Sequence, residues 1–225
     1  MTSRARWSTR SRRLGIMAGV GILAVGVLYI ATIGAWLVAK ASPRDPIPDP
    51  YLAVMEVLTM CSALLLFGFV VSVWCFADEQ HRVSALAALV SGSAAAVLTS
   101  AVHFVQLTAI RQLWRLGRLE DYRLIWPSPL FAVEYFAWDV LVGLTMVFSA
   151  IAIAGTPQAA TARRALLAGG ILCVLGVTGP LSGLMLLQNA GLLGYGVVLP
   201  VAAALVAQVF RATPSSGSEE AAPGS

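Results

Sequence analysis

Four ionisable residues, Glu56, His103, Glu134 and Asp139, fall inside long apolar stretches of the chain, and no Lys or Arg shares those stretches. A charge held in mid-bilayer costs at least ~2.5–3.5 kcal/mol on insertion scales. Acids without a buried base must take up a proton, hold a cation, draw in water or pair near the membrane edge. Proton uptake is the cheapest escape, because desolvation penalises the charged form. The chemistry open to this set is proton exchange, cation binding, or acid/base work by an imidazole beside a carboxylate.

The stretches that carry these residues read as membrane spans. Of 225 residues, 58% are hydrophobic and 12% charged, and the mean hydropathy is +0.81. Soluble domains carry roughly 25% charged residues. A fold of this size in water could not hide so much apolar surface. About 20 uncharged apolar residues cross a bilayer as a helix, and six such runs are visible: Leu14–Ala39, Tyr51–Phe76, Val83–Ile110, Pro129–Ala154, Ala165–Leu187 and Leu192–Phe210. Lipid offers no partner for free backbone groups, so the spans are helices. The short alternating segments of a barrel are not seen. The expected fold is all-α, a polytopic helical bundle of about six spans. Residues 1–13 form a basic segment, 14–210 the transmembrane domain and 211–225 a tail that is disordered by composition. The two halves of the chain show no convincing similarity, so nothing marks an inverted repeat.

The connections carry ordinary loop chemistry. Ser42 to Pro50 is a stiff proline-rich connector. Asp78 to Arg82 is a short charged turn. Trp126-Pro127-Ser128-Pro129 opens the fourth helix, with proline in the first turn. Gln188 to Gly191 is expected as the tight turn after the fifth. Pro180 is expected to kink the fifth helix and free a carbonyl.

Basic residues set the orientation. The N-terminal cluster Arg4, Arg6, Arg10, Arg12 and Arg13 could serve nucleic acid, but beside an apolar span it marks a cytoplasmic end. With that end inside, Arg82, Arg163, Arg164 and Arg211 join it. Lys40, Arg44, Arg111, Arg115, Arg118 and Arg123 fall outside. The bias puts both termini in the cytoplasm of a cell-membrane protein with no nucleic-acid partner. The arginine-rich third connection is an anomaly of this topology. Ser11-Arg12-Arg13-Leu14 faintly resembles a twin-arginine export signal, and Ala39-Lys40-Ala41 a cleavage site. A 26-residue apolar run exceeds the ~7–15 of a signal peptide, so a retained first helix is expected.

Depth follows from direction, at about 1.5 Å per residue. Glu56, His103 and Glu134 lie ~8–10 Å below the outer face, and Asp139 ~15 Å below it. Gln106, Gln188, Asn189 and Tyr195 fall on the same side, so the polar membrane residues share one half of the bilayer. Thr99, His103 and Gln106 form one helical stripe, Glu134 shares a face with Trp138, and Tyr135 with Asp139. Glu134 and Asp139 point apart, and one of them is expected to meet His103 across the third and fourth helices. Asp139, the deepest, is the leading candidate. The structural alternative leaves Glu56 and Glu134 at the headgroup boundary and makes His103 and Asp139 a helix-locking pair.

Arg111, Arg115 and Arg118 recur at i, i+4 and i+7 with Leu113, Trp114, Leu116 and Leu119 between them. This reads as an amphipathic extension at the headgroups, or as an anion site. Cys61, Cys75 and Cys173 match neither zinc nor disulfide spacing and are expected as small hydrophobes. Gly169, Gly170, Gly191 and Gly194 permit close helix packing. No metal motif is present, and no cofactor is expected. His81, in the opposite loop, cannot join His103 on a haem.

The layout, with Lys40 its one lysine, resembles the uncharacterised six-helix integral membrane proteins common in GC-rich bacteria. That resemblance implies no activity. A weaker one is to sterol-isomerase-type membrane proteins, which place His and Glu in a lipid pocket. His103 and Glu134 correspond in kind, but helix count and spacing differ, and no catalytic role carries over. Three functions stay open: binding or transport of a small cationic or proton-exchanging ligand, acid/base chemistry on a lipid, and a structural or assembly subunit. The sequence does not specify the oligomeric state.

Overall fold

The computed structural model describes residues 7–40, 42, 47–116, 126–156 and 159–215. Within them the chain is helical, and six helices are long and apolar enough to cross a membrane: α1 Thr9–Ala39, α2 Tyr51–Phe76, α3 Arg82–Leu113, α4 Pro129–Ala152, α5 Ala160–Ser182 and α6 Met185–Ala212. The protein is a six-span helical bundle. Arg4, Arg6, Arg44, Arg118, Arg123 and residues 216–225 lie outside the described residues.

Each helix packs on its neighbours in sequence, and α1 packs on α6, so the six form a closed ring. Small residues let the backbones approach. A Cβ at Gly19 would lie 2.5 Å from the Ala203 carbonyl oxygen, and Gly15, four residues earlier, faces Phe210 and Ser72. This is close packing through a Gly-x-x-x-Gly pair, in which contact rather than hydrophobicity drives association. The expected role of the α5 and α6 glycines is observed. A Cβ at Gly170 would meet the Gly143 carbonyl oxygen at 2.7 Å, and one at Gly194 the Gly169 carbonyl oxygen at 2.8 Å.

Both ends of the bundle are fastened locally. α1 starts five residues earlier than expected, because Ser8 caps it by accepting the Ser11 N–H at 3.2 Å. An N-cap satisfies one of the orphan donors of the first turn. Arg10, Arg12 and Arg13 therefore belong to the helix. Arg12 donates to the carbonyls of Phe210 at 3.0 Å and Arg211 at 2.6 Å, closing α1 on the end of α6. Trp7, Phe76 and Phe210 stack around the same end. The Asp78–Arg82 turn lies there too. Its Asp78 carboxylate accepts the His81 backbone N–H at 2.9 Å and meets His81 Nδ1 at 2.7 Å. At the other end Ser128 caps α4 from Phe131 N–H at 3.2 Å, with Pro129 in the first turn as expected.

The turn between α5 and α6 differs from expectation. Gly183, at φ 76°, ends α5, and Gln188 and Asn189 lie inside α6. A left-handed residue after a helix is cheap only for glycine, and Gly183 supplies it ahead of the polar cluster. The helix is interrupted at Val177, three residues before Pro180.

Three π-helical segments interrupt the spans, at Gln106–Ile110, Phe136–Val142 and Gly194–Val198. Insertions of this kind shift the register of a helix face and are common at functional sites. All three fall at the end of the ring that carries His103, Glu134 and Asp139.

Candidate functional site

Three helices bring a line of ionisable groups together. His103 of α3 sits between Glu56 of α2 and Glu134 of α4: Nδ1 meets Glu56 Oε2 in a short contact, and Nε2 meets Glu134 Oε1 at 2.7 Å. The three are buried, at 5% exposure for Glu56, 6% for His103 and 8% for Glu134. The partner of His103 on α4 is Glu134 rather than Asp139, so the helix-locking pair expected of His103 and Asp139 is not formed. The shared face of Glu134 and Trp138 has a use, since the Trp138 indole N–H donates to Glu134 Oε1 at 2.5 Å.

Proton bookkeeping follows from donor and acceptor inventories. Each contact between an imidazole nitrogen and a carboxylate needs one hydrogen between its heavy atoms. Two contacts need two hydrogens, and two carboxylates plus one imidazole holding two hydrogens carry a net charge of about −1. A third proton, or one cation, neutralises the set. Glu134 Oε1 already accepts from Trp138, whereas Glu134 Oε2 is buried without a hydrogen-bond partner among the described residues. A buried polar atom left bare costs about 1–3 kcal/mol, which makes Oε2 a natural seat for that proton.

The line borders a cavity of about 390 Å³. Glu56, His103 and Glu134 line it, with Tyr29 and Thr59 beside them and Gln188 and Tyr195 from α6. Among the described residues no Lys or Arg lines it. Small-molecule pockets begin at roughly 300 Å³ and combine apolar walls with a few convergent polar groups.

Asp139 is placed differently. It is fully buried, at 0% exposure, and is not among the residues lining the cavity. The Gln188 amide donates to Asp139 Oδ2 at 3.2 Å and Oδ1 at 3.4 Å, and lies 3.4 Å from the Tyr195 hydroxyl. Gln188 thus stands between Asp139 and the cavity. Gly176 and Gly191 crowd the same carboxylate, with Cβ positions that would press on Oδ1.

The other sequence candidates divide. Gln106 is buried on the inner face of α3 with Thr99, as the stripe predicts, but does not line the cavity. Arg111 pairs with Asp49 in a short contact that fastens the connector before α2 to the end of α3. Arg115 is exposed, and Arg118 lies outside the described residues. Cys173 is buried, Cys75 half-buried and Cys61 exposed on the outer surface of the ring, and none of the three is in a disulfide. Among the described residues no group of three or more His, Cys, Asp or Glu is placed to hold a metal ion.

Sequence reading missed Tyr29 and Thr59, whose only signal is a hydroxyl within an otherwise apolar helix, and misassigned Gln188 to a turn. No family model matches the chain, and neither a curated protein nor a solved structure does. What the fold defines is a multi-pass helical membrane protein.

Proposed function

We propose that the protein binds a small cationic or proton-exchanging ligand inside the membrane, in the cavity beside Glu56, His103 and Glu134, for transport or sensing. One observation carries the reading: Glu134 lines the cavity while its Oε2 is buried without a partner. A purely structural cluster would be satisfied by its own hydrogen bonds and would leave no space beside it. This one keeps both a bare acceptor and a cavity.

In the proposed cycle the Glu56–His103–Glu134 line holds two protons at rest and a net charge of about −1. A ligand cation or a third proton settles at Glu134 and removes that charge, and release restores it. Trp138 holds Glu134 Oε1 as an acceptor throughout. The excess of Arg at the chain-terminal end supports a cytoplasmic placement for both termini, in the cell membrane. The cavity then lies in the outer half of the bilayer.

The test is thermal stability of the purified protein across pH, for wild type and Glu134→Gln. Glutamine preserves the Oε1 acceptor and removes the ionisation. A wild-type profile that changes with pH and flattens in the variant is expected. Superimposable profiles would sink the proposal.

A further inference from the structure

We infer that the occupant of the cavity is a lipophilic amine drawn from the membrane, with an apolar body and a single ammonium head, entering between α1 and α6. The inference rests on the reading of the cavity as a ligand site and adds the chemical class and the route.

The body is argued from the walls. Ile22, Met55, Phe131, Leu199 and Pro200 supply apolar surface on several sides, and Tyr135, Trp138 and Tyr195 add aromatic rings. Among the described residues, the carboxylates and imidazole of the lining all belong to the Glu56–His103–Glu134 line. A hydrated inorganic cation would lose its water against those walls without replacement. An amphiphile satisfies both regions at once, with its ammonium at Glu134 and its body on the aromatic and aliphatic wall. Aromatic faces also attract an ammonium directly. The sign of the head is argued from charge. With no Lys or Arg in the lining among the described residues and a resting charge of about −1, an anionic head would be repelled.

The route is argued from the seam where the ring closes. Gly26 of α1 is tight on α6, since a Cβ there would meet Pro200 Cγ at 2.8 Å. One turn earlier on the same face of α6, Gly196 is open: a Cβ there has a single neighbour within 4 Å among the described residues, Leu192 Cδ1 at 3.7 Å. Gly196 and Leu192 both line the cavity, and Leu192 is 49% exposed on the surface that faces lipid. The cavity therefore reaches the lipid side at the level of Leu192 and Gly196, where Gly196 adds no side chain of its own to the opening.

The experiment measures binding to the full chain in detergent by calorimetry, using 2-phenylethylamine, methylamine and the neutral 3-phenylpropan-1-ol. Wild type is expected to bind 2-phenylethylamine at least about tenfold more tightly than methylamine, from burial of the ring, and more tightly than the alcohol. Gly196→Leu, which fills open space rather than colliding with backbone, is expected to slow both association and release of 2-phenylethylamine at least about tenfold, read by rapid mixing with tryptophan fluorescence. Gly196→Ala is the milder companion, and helix content and elution volume confirm that each variant folds. Equal affinity for methylamine overturns the apolar body, and equal affinity for the alcohol overturns the ammonium head. Unchanged association and release rates in folded Gly196 variants overturn the route. If no amine binds but wild type still responds to pH through Glu134, this inference falls alone. If that response is also absent, both readings fall.

Discussion

Trp138 donates to the same Glu134 oxygen that meets His103, at 2.5 Å, and so holds one side of the carboxylate while Oε2 stays bare. The two residues lie one helical turn apart on α4, at the start of its π-helical segment. The indole nitrogen is a donor only, so its contact fixes Oε1 as an acceptor whatever the protonation of the line. Trp138→Phe removes that donor and keeps most of the ring. The expected cost is about 1 kcal/mol, the net worth of one hydrogen bond, rising to about 3 if Oε1 is left short of donors. Thermal unfolding in detergent measures it, and an unchanged midpoint would show that the indole N–H contributes nothing.

His103→Ala leaves Glu56 and Glu134 buried without the imidazole between them. Breaking a buried charged network by removing one member typically costs about 3–5 kcal/mol. The loss is expected at neutral pH and should shrink as the pH falls, because protonated carboxyls no longer need a cationic neighbour. Stability of the variant relative to wild type, compared at neutral and acid pH, checks the direction. A deficit that grows on acidification would contradict the network.

Gly191→Ala places a methyl group against Asp139 Oδ1. Overpacking of this kind costs about 1–3 kcal/mol. Asp139→Ala in the same chain removes the obstacle, so the double variant should lose less than the sum of the two single changes. Residues in contact show such coupling at about 0.5–3 kcal/mol. Strict additivity in thermal unfolding would mean that the glycine is not there to admit the carboxylate.

Asp78 sits outside the membrane spans. Partial burial alone would raise its pKa, but hydrogen bonds from the His81 side chain and backbone outweigh that and hold it below the ordinary carboxylate value. A depressed folded-state pKa contributes stability above the unfolded value and loses it as pH falls through the folded one. The side chain is 46% exposed, so solvent screening limits the contribution to under about 1 kcal/mol. Asp78→Asn should therefore melt slightly below wild type at neutral pH and match it in acid. A constant difference across pH would point to packing rather than charge.

The ring places the end of α3 and the end of α6 on opposite faces. Single cysteines at Leu116 and Thr213, in a chain whose Cys61, Cys75 and Cys173 are replaced by Ala, should react with an impermeant thiol reagent from opposite sides of sealed vesicles. Labelling of both from one side would overturn the six-span arrangement.

The fold class was legible in the sequence because its signal is local. Apolar runs of bilayer length must be helical in lipid, and Pro129, Ser128 and the Asp78–Arg82 turn mark boundaries by residue type. The common depth of Glu56, His103 and Glu134 was legible for the same reason, since rise per residue converts position into height. The stripe of Thr99, His103 and Gln106 and the shared face of Glu134 and Trp138 required only helical periodicity. Which side chains meet was decided by tertiary structure alone. His103 takes Glu56 and Glu134 and leaves Asp139 to Gln188. That choice depends on rotation and spacing of neighbouring helices, which are set by Gly19, Gly170, Gly191 and Gly194 on contact faces and by three π-helical shifts of register. Neither leaves a periodic trace in the chain. The cavity is likewise a property of the closed ring, bounded by α1 and α6 from the two extremes of the sequence, whose meeting no local pattern specifies.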